Sequence, residues 1–260
     1  MNEKISLFDT HAHYVDDAFD ADRHELLSRL FNSGEICGIV EAGTNAETSR
    51  LAASLAEQYD NIWFAAGFHP SDITENLSNL DEIVPLLSHP KCAAIGEIGL
   101  DYHYDDGPPR EQQLLWLDAQ LSLAKQYGLP VIIHCRDAHS DTMDILRAHK
   151  DVRCVLHSYS GSAELLREHV KFDRFISFSG VITFKNAKKT LDCVRAVPDG
   201  QILIETDCPY LTPHPYRGKR NDTGYLRLTA EAAAELRGVS LEDFASLTVQ
   251  NSKRFFGIRQ

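Results

Sequence analysis

The chain has 260 residues, 43% hydrophobic and 25% charged, with a formal net charge of −12. That length is near the usual size of one α/β barrel and suffices to bury a full core without staples. The acidic balance argues against a broad basic surface for long nucleic acid, while leaving room for a small positive site in a cleft.

The N-terminus lacks a basic region followed by a long apolar stretch, so no secretion signal is expected. No run approaches the apolar length of a membrane span. Six cysteines, at 37, 92, 135, 154, 193 and 208, form no C-x-x-C pair. Their spacing predicts reduced thiols in a cytoplasmic core rather than a zinc knuckle.

Short apolar runs alternate with longer amphipathic ones along the whole chain. The candidate strands are residues 5–9, 37–42, 62–67, 92–96, 130–134, 152–157, 174–178 and 201–205. Val131-Ile132-Ile133 and Ile202-Leu203-Ile204 read as strands buried on both faces. Asn45 is a candidate cap for a helix reaching Gln58. In residues 111–127, Leu114, Leu117, Leu121 and Ala124 share one helical face, and Gly128 is the stop signal before Pro130. After the last strand come helical stretches 226–236 and 241–256, parted by Gly238, with Ser240 as a cap and Asp243 three residues on. Nothing divides the chain, so residues 1–260 are expected to form one domain.

Eight strand–helix units imply a parallel sheet that closes into a single (β/α)8 TIM barrel, an α/β fold. An open doubly wound sheet would carry a glycine-rich turn after its first strand. Here that turn reads Asp9-Thr10-His11-Ala12-His13, without glycine.

Polar residues gather at the ends of the apolar runs. His11 and His13 end the first strand, Glu97 the fourth, His134 the fifth, His157 the sixth, and Glu205 with Asp207 the eighth. In a barrel these ends meet at one mouth. Residues two apart in extended chain point to the same side, so both imidazoles of His11-x-His13 can reach one ion. An acid directly after residues 92–95 is costly unless paired or metal-bound, and Glu97 has two oxygens with which to bridge cations. His134 and His157 beside Glu97 favour a second ion. The mixed donor set leaves Mg, Mn or Zn open. Asp9 stands two residues before His11 on the same side and is expected to orient a ligand histidine.

Six segments resemble, in order, the motifs of the TatD deoxyribonuclease family. They are Phe8-Asp9-Thr10-His11-Ala12-His13, Gly67-Phe68-His69-Pro70, Gly96-Glu97-Ile98-Gly99-Leu100-Asp101-Tyr102, Ile133-His134-Cys135-Arg136-Asp137-Ala138, Leu156-His157-Ser158-Tyr159-Ser160-Gly161 and Glu205-Thr206-Asp207-Cys208-Pro209-Tyr210-Leu211. Arg217-Gly218-Lys219-Arg220-Asn221 resembles the family's basic loop. The likeness covers nearly the whole chain. Asp222-Thr223-Gly224 follows Asn221 where the family usually has Glu-Pro, and Cys135 stands where serine is common. Strand alternation turns Cys135 away from the ions.

The resemblance implies a metal-dependent hydrolase of the amidohydrolase superfamily. It would cleave phosphodiester bonds in DNA, often as a 3′-to-5′ exonuclease on single strands. His11, His13, Glu97 and Asp207 would hold one divalent ion. Glu97, His134 and His157 would hold the other, with Glu97 bridging.

Asp207 is the expected proton acceptor in an in-line attack by metal-activated water, with Glu205 as its rival. His69, His103, Arg136, Arg217 and Arg220, with Lys219, are candidate contacts to substrate phosphates. No protein partner and no membrane association is inferred. The alternative is a metal-dependent amidohydrolase or lactonase acting on a small cyclic substrate. Many such relatives bridge their metals with a carbamylated lysine in strand 4, where this chain carries Glu97. Less favoured are a binding barrel without catalysis and a Cys–His nucleophile at His134-Cys135.

Overall fold

The computed structural model describes residues 5–259. The first four positions of the N-terminal reading lie outside that range. The described residues form eight strands and eight α-helices: β1 (Leu7–Ala12), α1 (Arg23–Ser33), β2 (Ile36–Ala42), α2 (Ala46–Gln58), β3 (Ile62–Ala66), β4 (Cys92–Asp101), α3 (Arg110–Tyr127), β5 (Val131–Arg136), α4 (His139–Ala148), β6 (Cys154–Leu156), α5 (Ala163–Val170), β7 (Phe175–Phe178), α6 (Lys188–Ala196), β8 (Ile202–Ile204), α7 (Leu226–Arg237) and α8 (Leu241–Phe256). The expected alternation is interrupted once, between β3 and β4, where short 3-10 turns stand in place of an α-helix, and two helices follow β8. Sheet order follows chain order from β1 to β8. The ladders are parallel. No helix among the described residues is long and apolar enough to cross a membrane.

The chain divides into two compact units. The first takes residues 5–41 and 158–259. In it β7 pairs with β8, and β1 with β2. The Thr10 hydroxyl, on β1, donates to the Ile204 carbonyl of β8 at 3.0 Å, and Ala12 bridges Cys208. Helix α8 starts where sequence places it, with the Ser240 hydroxyl accepting the Asp243 N–H at 3.0 Å. Its far end seats Phe256 against Phe8 and Phe255 against Phe175.

The second unit, Ala42–His157, carries β3 to β6. Helix α2 opens on a full capping box, in which Asn45 and Thr48 exchange side-chain and backbone hydrogen bonds. For helix α3 the sequence predicts a buried leucine face. Leu117, Leu121 and Ala124 are buried, but so are Gln113 and Gln120. Each carboxamide pairs with both the N–H and the carbonyl of one residue. Gln113 accepts the Asp101 N–H at 2.8 Å and donates to the Asp101 carbonyl at 2.9 Å. Gln120 does the same to Phe68, at 2.8 and 3.1 Å. The helix thus adds hydrogen bonds at the end of β4 and just past the end of β3.

Three strands run past their expected ends, and β1 reaches Ala12, so His11 lies within it. β4 runs on to Asp101, so Glu97 lies in mid-strand, and β5 runs through His134 to Arg136. The polar side chains that read as terminators do not disturb the ladder, because they satisfy one another. Gly99 pairs with His134 and Asp101 with Arg136 in register. Gly99 has φ +150°, and a Cβ there would stand 1.9 Å from the His134 carbonyl oxygen. Only glycine lets β5 approach this closely.

Gln120→Ala strands the buried Phe68 peptide and is expected to cost about 1–3 kcal/mol. Asn45→Ala, which removes a cap, is expected to cost about 1 kcal/mol. Urea unfolding of both variants checks this. A Gln120→Ala loss below a few tenths of a kcal/mol would mean that the carboxamide does not hold the strand end.

Candidate metal centre

The sequence-predicted ligands form one tight group in each unit. In the first, β1 buries His11 completely and leaves His13 nearly so. Their Nε2 atoms stand 3.0 Å apart. Asp207 Oδ1 lies 3.7 Å from the first and 3.4 Å from the second. Two nitrogens bound to one ion at about 2.0–2.1 Å and a right angle to each other stand about 3 Å apart. The donor set fits a divalent cation on chemistry and spacing alike.

Asp9 organises this group. It is fully buried, and its expected role at a histidine ring is not what the structure shows. Its Oδ1 accepts the Thr206 N–H at 2.9 Å and, at 3.4 Å, the His11 N–H. Its Oδ2 accepts the hydroxyls of Thr206 at 2.6 Å and Thr223 at 2.7 Å. Asp9 therefore ties the backbone of β1 to the loop that carries Asp207. Burial pushes its pKa up to about 7 against the pull of these hydrogen bonds.

Thr223 stands where the family usually has proline and supplies a hydroxyl that proline lacks. The Tyr14 hydroxyl donates to Thr223 Oγ1 at 2.8 Å. Glu41, buried in β2, accepts the N–H groups of Tyr14 and Val15, both at 2.9 Å, and so fixes the turn after His13. Burial raises its pKa to about 7 as well. The Glu205 carboxylate accepts the Ser158 N–H at 2.6 Å.

In the second unit, Glu97 Oε1 stands 2.9 Å from His134 Nδ1 and 2.8 Å from His157 Nε2, and those two nitrogens are 3.1 Å apart. His69 Nε2 adds a fourth atom, 3.7 Å from Glu97 Oε1. His69, Glu97 and His134 form a metal-capable cluster on their own. Burial lowers the His69 pKa to about 4 despite the attraction of Glu97.

The Asp101 carboxylate takes the other nitrogen of His134, with Oδ2 and Nε2 at 3.0 Å. A carboxylate there holds the proton on Nε2 and leaves the Nδ1 lone pair facing Glu97. Two lone pairs facing each other at this distance need a proton or a cation between them. Burial works against charge on His134, while hydrogen bonds to Asp101 and Glu97 hold its pKa above the ordinary value.

Three residues at strand ends adopt left-handed backbone: Asp137 after β5 (φ 55°), Ser158 after β6 (φ 38°) and Asp207 after β8 (φ 56°). Asp tolerates this region better than most residues. The Cys135 sulfur lies 3.2 Å from His139 Nδ1 in α4 and accepts the Thr142 hydroxyl.

The candidate substrate contacts are scattered. His69 belongs to the second group. His103 Nδ1 pairs with Asp137 at 2.9 Å, and Arg136 lies over the Tyr104 ring. Arg217 stacks on Phe184, 3.9 Å from the ring centre. Lys219 lies over Tyr216. Arg220 departs most from its expected role. Its guanidinium forks onto Asp22 at 2.8 and 2.7 Å, donates to the Ala18 carbonyl and covers Phe19. The planar fork matches a carboxylate of its own chain, so this cation braces the loop instead of standing open to phosphate.

Residues 8–257 match the family described as TatD related DNase. The uncharacterized metal-dependent hydrolase YabD of Bacillus subtilis is 44% identical over 97% of this chain and 99% of its own length. The 3′-5′ ssDNA/RNA exonuclease TatD of Shigella flexneri is 33% identical over 97% of this chain and 99% of its own. The crystal structure of YjjV, a TatD homologue of Escherichia coli K12, superposes with a TM-score of 0.90 at 31% identity, covering 97% of this chain and 98% of that one. This likeness bears out the (β/α)8 barrel.

Asp101→Ala is expected to weaken divalent cation binding by about 10–100-fold. Calorimetric titration of the metal-stripped variant measures this, and unchanged affinity would remove Asp101 from its orienting role. With its motifs, ligand groups and full-length likeness in agreement, the chain belongs to the TatD-related DNase family and is a metal-dependent hydrolase of ester bonds.

Proposed function

We propose that this enzyme removes nucleotides from the 3′ end of single-stranded DNA, using two divalent ions of the Mg, Mn or Zn class. The observation that carries the reading is the pair of ligand groups, each with donor atoms within 3.7 Å of one another. The relatives named as single-strand exonucleases support the substrate. His11, His13 and Asp207 would hold one ion and His134 and His157 the other, with Glu97 serving both, as the family resemblance implies. The single-domain reading of residues 1–260 belongs to the proposal, because the family match runs through both units. So does cytoplasmic residence, which the six thiols support.

Bound divalent ions lower the pKa of water and neutralise charge on phosphoryl oxygens. The protein's own part is positional. A water oxygen forms a bond to phosphorus as the bond from phosphorus to the sugar oxygen breaks, and the departing sugar oxygen takes up a proton from solvent. The water proton passes to Asp207, which is partly open to solvent, with a side-chain exposure of 13%. Glu205 is buried and engaged with the Ser158 N–H, so it holds the strand ends while Asp207 accepts the proton. His69 and Arg136 are the candidate phosphate contacts best placed beside the second group.

The lactonase alternative gains nothing from β4. Lys91 donates to the carbonyls of Ala56 and Tyr59, and the family resemblance gives the bridging role to Glu97.

Purified enzyme with Mg or Mn should shorten a 5′-labelled single strand stepwise, and chelation should stop it. His134→Ala should abolish the reaction, and Asp207→Asn should lower kcat by about 10²–10⁴-fold. Full activity in both variants, or turnover of a lactone but of no oligonucleotide, would overturn the proposal. Parallel digestion of RNA fixes the sugar preference.

A further inference from the structure

We infer that Tyr104 is a stacking platform for an unpaired base of the strand, an inference that rests on the nuclease reading above. Tyr104 is 56% exposed, an unusual state for so large an aromatic. It is nonetheless held in place. The His103 ring meets it edge-on, with centroids 5.0 Å apart at 84°. The Arg136 guanidinium lies 5.1 Å from its ring centre and donates to its hydroxyl at 3.2 Å. His103 is in turn braced by Asp137.

This cluster is wired to the second ligand group. Asp101 accepts the His103 N–H at 2.9 Å through Oδ1, while its Oδ2 faces His134. Tyr102 N–H donates to the Arg136 carbonyl at 3.0 Å, so the loop bearing Tyr104 is stitched to β5. Arg136 follows His134 by two residues on the same strand. In extended chain that is the same side, roughly 6.6 Å further on. The platform therefore stands just outside the ion group, where the nucleotide next to the cut bond would lie.

Asp105 and Asp106 follow Tyr104 directly, and Asp137 faces His103. The Arg136 guanidinium on the ring offsets these acids, and the exposed ring suits the uncharged face of a base. Stacking on an aromatic ring is tolerant of sequence and needs a base that is not already stacked in a duplex. The same feature would then give preference for single strands.

The test compares wild type, Tyr104→Ala and Tyr104→Phe as full-length, metal-loaded enzymes. The substrates are a single-stranded oligodeoxynucleotide and the same strand with its terminal bases removed. Tyr104→Ala should raise KM for the intact strand by about 5- to 150-fold and leave kcat nearly unchanged. Tyr104→Phe should keep the wild-type KM. On the abasic strand, wild type and Tyr104→Ala should be equal. Equal KM values on the intact strand, or the same loss on both strands, would overturn the platform.

Fluorescence anisotropy of the labelled strand gives a second reading that does not depend on cleavage. If wild type binds the strand but does not cut it, the nuclease reading fails, and Kd values for Tyr104→Ala still decide the platform. If wild type neither cuts nor binds, both fail.

Discussion

Asp101 bears the constraint on which the second ligand group depends. A carboxylate at 7% exposure must find its partners in protein. One oxygen takes the His103 N–H, the other takes His134 Nε2, and the residue's own peptide is clasped by Gln113. The ring orientation of a ligand, the path of a surface loop and the end of a strand are thus one arrangement. Asp9 does the equivalent work in the first unit, where four donors from positions 11, 206 and 223 meet its two oxygens. In both cases the group that holds the geometry is a buried acid one step removed from the donors that would hold the ion.

Much of this was legible in the sequence. Strand–helix alternation, the Asn45 and Ser240 caps and the two glycine stops follow from local chemistry that tertiary context does not overrule. The residues of the two groups stood out because a histidine or acid closing a buried run is costly to desolvate unless something binds it. Less legible were the ends of β4 and β5. A polar residue reads as the end of a strand unless its partner is known, and the partner of Glu97 lies 37 residues on.

Gln113 and Gln120 were invisible for a similar reason. On a helix a glutamine reads as solvent-facing, and nothing local signals that a carboxamide will lie against a peptide in another element. Arg220 shows the reverse case. A basic loop reads as a phosphate clamp, and nothing local signals that Asp22, almost two hundred positions earlier, pairs with its fork. Glu41 carried a signal that could have been used, since an acid inside Ile39-Val40-Glu41-Ala42 is as anomalous as Glu97.

The left-handed backbone at Asp207 has a consequence for descent as well as for chemistry. Two separate filters act on that position: an oxygen must point at the ligand group, and the main chain must sit where branched or bulky residues are strained. Only the first filter vanishes when catalysis is abandoned. A relative that has given up hydrolysis while keeping this loop should therefore drift to asparagine or glycine at 207, retaining the contour of the site after its reactivity is gone.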